Sequence, residues 1–209
     1  GNIIRERAKA ADKLNPAARI EKIAALFATF KNPDKETVLT PFNVVKLHID
    51  SAFDEKFFTA DKKILDINAK TGLYPLYVAC KIYRARLGNF SEDDFKFDAL
   101  QKIWDKTVDE NIFVICKTPM AKTITRRTLL GFRAGNFNAH CFDDLINQLK
   151  NKAAQVVKNL TNKNFWNKGR GKMFFDGVVG NPPYQIAAKG EKVNYSSPVY
   201  HELLKIAYS

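Results

Sequence analysis

Met173-Phe174-Phe175-Asp176-Gly177-Val178-Val179-Gly180-Asn181-Pro182-Pro183-Tyr184 is the stretch from which the fold can be read. The run before the asparagine is short, aromatic and β-branched, the pattern of a buried strand in a parallel sheet. The tetrapeptide Asn181-Pro182-Pro183-Tyr184 then falls just past the carboxyl end of that strand, where open α/β sheets place their sites. Two successive prolines have fixed φ and no N–H, so their carbonyls are held outward with no ladder to join. Asn181 adds a carboxamide oxygen and Tyr184 a flat aromatic face. Acceptors beside a flat face suit a planar amine with a delocalised lone pair, such as the exocyclic amine of adenine or a carboxamide nitrogen. Two acceptors on its two N–H bonds favour a pyramidal nitrogen that can attack. This needs no base beforehand, only preorganised acceptors aimed at the developing positive charge. The same residues also read as a plain strand-ending turn, so their surroundings must decide.

Upstream, Lys62-Lys63-Ile64-Leu65-Asp66-Ile67-Asn68 reads as a strand. It runs into Ala69-Lys70-Thr71-Gly72-Leu73-Tyr74 and a helix through Leu87. Strand, acidic residue, tight turn and helix make the first βα unit of a nucleotide- or cofactor-binding sheet. Gly72 would let backbone approach a ligand; Asp66, at the strand end, either holds an amine or orders the loop. Before this unit, Thr40 reads as an N-cap and Pro41 as the first residue of a helix through Asp50. Such a terminus suits a carboxylate, and it serves equally as a plain cap. His48 has no evident partner and reads as structural. Residues 1–30 read as helices, with Ile20, Ile23, Ala24 and Phe27 at helical spacing after Pro16. The polar break at 31–35 divides an N-terminal helical extension, 1–36, from the remainder, 37–209.

Downstream, Ser91-Glu92-Asp93-Asp94 has the form of a capping box. It opens a segment carrying Phe95, Phe97, Leu100, Ile103, Trp104 and Val108, read as an amphipathic helix. Asn111 to Cys116 is a strand of the fully buried type. Pro119 starts a helix through Leu130, with Gly131 as its C′ residue. Phe137 to Phe142 is a short strand, and Asp143-Asp144 at its carboxyl end is a ligand site or a helix cap. Pro198 begins a last helix. Strands alternating with helices predict an α/β fold with a mostly parallel sheet.

The 209 residues suffice for one domain with a real core. The net charge of +12 points to a polyanionic partner, nucleic acid first. From Leu145 to Phe175 there are seven Lys or Arg and no acidic residue, with Phe165 and Trp166 in the basic loop. That segment is either a surface for a phosphate backbone or unstacked base beside the site, or a solvated helix face with a packed tryptophan. The three cysteines are scattered, with no CxxC or His/Cys cluster, so neither a disulfide frame nor a metal site is supported. This reads as a reducing cytoplasm. No signal peptide or apolar run of membrane-spanning length occurs. A chain that begins at Gly1 and ends inside a helical pattern reads as a piece of a longer protein.

Taken together, these motifs resemble the S-adenosylmethionine-dependent amino-methyltransferases. The chain looks most like the gamma-ordered N6-adenine DNA methyltransferases of restriction–modification systems, including fused restriction-methylases. The resemblance covers residues 37–209. It rests on Phe175 to Tyr184, on the Thr40-Pro41…Val44-Val45 helix placed before the cofactor loop, and on Pro198-Val199-Tyr200-His201-Glu202-Leu203-Leu204. It implies a Rossmann-like methyltransferase fold whose later C-terminal strands and target-recognition domain lie outside this chain, with room for a fused nuclease. It also implies S-adenosylmethionine as cofactor, with Thr40 and Pro41 near its methionine part, Asp66 and Gly72 in its loop, and Asp143 near its adenine. Asn181, Pro182, Pro183 and Tyr184 would hold an adenine flipped out of double-stranded DNA. Two positions depart from the family. Its loop reads Asp-x-x-x-Gly-x-Gly, but Lys70 stands at the first glycine. Its second strand ends in a ribose-binding carboxylate, but here the strand ends Ile115-Cys116-Lys117-Thr118, leaving Thr118 as substitute. Two other readings stand beside this one: a protein glutamine-N5 methyltransferase, and a degenerate methyltransferase fold kept as a nucleic-acid-binding module.

Overall fold

A computed structural model describes residues 2–30, 39–142 and 144–181, together with the backbone of 185–186 and 197–198. Four parallel strands form its centre: β1 (Ile64–Ala69), β2 (Ile112–Cys116), β3 (Asn138–Cys141) and β4 (Gly177–Val179), in the order β3-β2-β1-β4. The chain steps from β1 to β2 to β3 on one side, then returns to the other side of β1. The switch point therefore lies between β1 and β4, where an open α/β sheet opens a crevice at its carboxyl edge. The helices are α1 (Asn2–Ala11), α2 (Pro16–Phe27), α3 (Phe42–Ala52), α4 (Leu73–Leu87), α5 (Phe97–Asn111), α6 (Pro119–Leu130) and α7 (Leu145–Leu160). The α/β, Rossmann-like methyltransferase architecture expected from the sequence is the one observed. Among the described residues, no helix is long and apolar enough to cross a membrane.

Alternation along the strands sorts the core into two layers. Ile64, Ile112, Val114 and Cys116 face α2 to α6, whereas Leu65, Ile67, Phe113 and Ile115 face α7 and Trp166. The central helix is α4, apolar nearly all round and buried accordingly, with Leu76, Val78, Ala79 and Ile82 at 0% exposure. Trp166 is in the core: its indole N–H donates to the Leu160 carbonyl at 2.9 Å, and its ring meets Phe113 and Phe175 edge-on. Of the two readings of that residue, the packed tryptophan holds.

Two polar devices fix the helices around α4. Lys81 reaches Asp50 at 2.8 Å and Glu55 at 2.5 Å, and the Tyr77 hydroxyl donates to Asp50. Burial works against that ammonium, but the hydrogen bonds to Asp50 and Glu55 outweigh it and raise its pKa. This ties α3 to α4. Arg19, 1% exposed, donates to the Thr128 and Arg127 carbonyls at 2.8 and 2.9 Å while its Nε pairs with Asp12. It thereby satisfies the open carbonyls at the end of α6 and fastens the N-terminal helices there.

Three expectations are corrected. The stretch Met173–Gly180 is not a long buried strand. Only Gly177–Val179 pairs with β1, and Gly177 and Val178 are half-exposed. Strand pairing starts late because the Asp176 carboxylate takes the Lys63 N–H and the Lys62 ammonium before the ladder begins. The Ser91 capping box is present, but it closes a 3-10 turn, Glu92–Asp94; α5 starts at Phe97. Thr40 is not the N-cap of α3: that residue is Pro41, with no side-chain cap, and Phe42 is the first helical residue. The Thr40 hydroxyl has another use.

Candidate active site

The site begins where β4 ends. Val179 pairs with Asp66, so Gly180 passes over the end of β1. Its φ is +141°, and a Cβ there would lie 2.3 Å from the Ile67 carbonyl oxygen and 2.8 Å from Asp66 Oδ1. Only glycine fits this crossing. The next residue is clamped twice. Asn68 Nδ2 donates to the Asn181 carbonyl at 3.1 Å, and Asn181 Nδ2 donates to Thr40 Oγ1 at 2.9 Å. Asn68 can do this because β1 bulges there: its φ is +69° and the register with β2 shifts between Ile67 and Ala69. The nitrogen end of the Asn181 amide is thus committed. Among the described residues, its oxygen end makes no hydrogen bond and so remains an available acceptor.

Beside Asn181 lies a small recess of about 20 Å³, lined by Thr40, Asp66, Lys70, Gly72 and Tyr74 among others. Asp66 occupies the third position of β1 rather than its end, and is 3% exposed. Its Oδ1 has no hydrogen-bond partner among the described residues. Burial pushes its pKa well above the usual carboxylate range, and the charge of Lys70 opposes that rise. A buried carboxyl oxygen without a partner calls for a donor, and an ammonium would both supply it and favour the ionised form. Across Leu39, Lys70 and Thr71 the recess borders an apolar cavity of about 800 Å³ lined also by Phe27, Thr118 and Met120. That is room for a ligand of nucleoside size. A ligand with an ammonium head and a flat, largely apolar body fits these residues and this cavity.

The other expected residues fall as follows. Thr118 lines the larger cavity and caps α6, accepting from the Ala121 N–H at 3.1 Å. Pro41 precedes α3, next to Thr40. Gly72 is the left-handed N-cap of α4, but its missing Cβ faces α6, where Thr125 Cγ2 would be 2.8 Å away. It therefore serves packing against α6 while also lining the recess. Asp144 caps α7 through the Asn147 N–H, which settles one half of the Asp143-Asp144 alternative. Asp143, Pro182, Pro183 and Tyr184 lie outside the described residues. His48 is partnered after all: its Nδ1 meets the Tyr74 hydroxyl at 2.7 Å. The basic loop is not beside the site. Lys168 pairs with Asp109, just before β2 begins, and Lys172 bridges to Asn162 past the end of α7. Both mark the amino edge of the sheet, opposite Asn181.

Two functional residues escaped the sequence reading, Asn68 and Gly180. Each had a faint signal, since asparagine tolerates left-handed backbone and a glycine preceded the tetrapeptide.

Residues 110–208 match the family model of the Eco57I restriction-modification methylase. This stretch starts in the last turn of α5, passes through β2, β3 and β4 and contains Asn181-Pro182-Pro183-Tyr184. The match covers 99 of the 209 residues, just under half, and supports a restriction–modification methylase. The recess residues Thr40, Asp66 and Gly72 precede the matched stretch. No curated protein and no solved structure matches the chain significantly.

Proposed function

We propose that the chain carries the transfer site of an adenine-N6 DNA methyltransferase of a restriction–modification system. The observation that carries this reading is the Asn181 amide, whose nitrogen is fixed on Thr40 beside an unpartnered buried carboxyl. S-adenosylmethionine, when bound, supplies a methyl group on a sulfonium for direct displacement. Asp66 would take its ammonium, Lys70 and Thr40 would face its carboxylate, and Thr118 would lie toward the ribose, with Asp143 near the adenine of the cofactor. Asn181 Oδ1 accepts one N–H of the target amine, and the Pro182 carbonyl accepts the other. Both bonds strengthen as positive charge develops on that nitrogen, so they act mainly in the transition state. Pro183, with its fixed φ, would limit the conformations open to the tetrapeptide, and Tyr184 would stack on the flipped base. After transfer the methylated nitrogen would be cationic and strongly acidic and would give its proton to water, so no strong base is required at this position.

The test is methyl incorporation from labelled S-adenosylmethionine into DNA by the full-length protein, with the modified base identified by chromatography. N6-methyladenine supports the reading; methylation of cytosine, or of a glutamine in a release-factor protein instead, overturns it. Asn181→Ala should lower kcat by about 10²-fold or more, the scale expected when a transition-state hydrogen bond is removed. Cofactor affinity by calorimetry should change less than about threefold. An intact protein that binds no S-adenosylmethionine would favour a degenerate fold, for which Lys70 and the missing ribose carboxylate are the motive.

A further inference from the structure

We infer that Thr40 is a positioning residue for Asn181, fixing which end of its amide faces the substrate; the inference rests on the transfer site proposed above. A terminal carboxamide can turn over, exchanging its donor for its acceptor at little torsional cost. An inverted Asn181 would present an NH₂ group to the N–H bonds of the target amine and repel it. Nothing in Asn181 itself prevents this. The backbone is held by Gly180 and by Asn68, whose Nδ2 donates to the Asn181 carbonyl, but those contacts leave the side-chain amide free to rotate. The Thr40 oxygen, 2.9 Å from Asn181 Nδ2, supplies the missing constraint. A hydroxyl can donate as well as accept, so the constraint is complete only if the Thr40 proton points elsewhere. Thr40 lines the recess beside Asp66 and Lys70, and an anionic head seated there would take that proton. The hydroxyl then has only its lone pairs to offer Asn181. Seating of an anion and orientation of the catalytic amide are thereby joined in one side chain.

The experiment compares wild type, Thr40→Val and Thr40→Ser in the full-length protein. Valine keeps the shape and removes the hydroxyl. Thr40→Val should lower kcat about tenfold, the scale of one ordinary hydrogen bond, and Thr40→Ser should recover most of the loss. In an Asn181→Ala background Thr40→Val should cost less than twofold, because there is no amide left to orient. If Thr40 is merely a cofactor contact, Thr40→Val raises the Kd for S-adenosylmethionine, leaves kcat intact and adds its full cost in the double variant; that result overturns the inference. A second readout does not depend on activity. In asparagine-¹⁵N-labelled protein, the side-chain NH₂ pair missing from Asn181→Ala identifies Asn181. Thr40→Val should shift that pair, Thr40→Ser should restore it, and added S-adenosylmethionine should move it in wild type. An unmoved pair in Thr40→Val overturns the inference even if wild type is active. A shifted pair in a protein that methylates no DNA supports it while refuting the proposed substrate.

Discussion

A Cβ on Gly180 would lie 2.8 Å from Asp66 Oδ1, and each of these two residues limits what could replace it. Gly180 crosses β1 at φ +141° with no space for a methyl group. Gly180→Ala should therefore cost about 1–3 kcal/mol from backbone strain alone. It should also push Asn181 off its contacts, so thermal melting falls and methyl transfer is lost together. Asp66 carries an electrostatic cost. Its folded pKa is raised by burial, so the folded state keeps the proton to higher pH than the unfolded chain does. Stability contributed at this position is thus lost as pH rises from about 4, the unfolded value. The loss levels off above the folded pKa. Asp66→Asn removes the ionisable group and should raise the melting temperature by about 2–4 °C near neutral pH, equivalent to about 1 kcal/mol. The gain should vanish below about pH 4, and affinity for S-adenosylmethionine should fall. Melting curves against pH, with calorimetry at pH 7, check both halves. A variant less stable at neutral pH would show that the carboxylate is satisfied in the empty protein.

At the scale of elements, α6 is the joint of the molecule. Its first turn, capped by Thr118, lines the larger cavity, and its last turn is held by Arg19 of α2. Gly131 follows with no room for a side chain, since its Cβ would meet the Asp12 carboxylate 2.0 Å away. Asp12 in turn accepts from the Phe132 N–H at 2.7 Å. Arg19→Met leaves the helix-end carbonyls and the Asp12 carboxylate without their buried partner, a change that costs about 3–5 kcal/mol. Urea unfolding should register that loss in the midpoint. A loss below about 1 kcal/mol would mean that α1 and α2 contribute little to holding α6.

Across the whole molecule, the charge of +12 is not gathered where the sequence suggested. Exposed Arg170 and Lys172 lie at the amino edge of the sheet, while half-buried Lys122 and Arg126 line a cavity of about 720 Å³ against β3 that also takes in His140 and Cys141. If DNA is engaged from the carboxyl edge, neutralising Arg170 and Lys172 together should leave affinity within about twofold. Neutralising Lys122 and Arg126 should flatten the log–log salt dependence by about 1.8, at about 0.9 for each phosphate that the protein no longer neutralises. Binding measured between low and moderate salt separates the two surfaces. The reverse outcome would place DNA at the opposite edge.

Local chemistry determined most of the architecture. Apolar runs marked β1 and β2 with nearly the observed bounds, because a fully buried strand has to be apolar throughout, and Pro119 and Gly131 marked the ends of α6. The order of elements was legible for the same reason. What the sequence could not contain was the partner of each polar group. Thr40 read as a cap, since a threonine before a proline usually is one, yet its hydroxyl is claimed by Asn181 from 141 residues away. Gly72 read as an opening for a ligand, and the structure adds a second constraint, since Thr125 fills the side that its missing Cβ leaves. The basic loop read as a neighbour of the site, yet the direction of α7 carries it to the far edge of the sheet. Periodicity is a property of adjacent residues, and so a sequence displays it directly. Hydrogen bonds, close approach and the edge on which a charge lies depend on which distant segments the sheet order brings together, and that was decided only when β4 returned to the open side of β1.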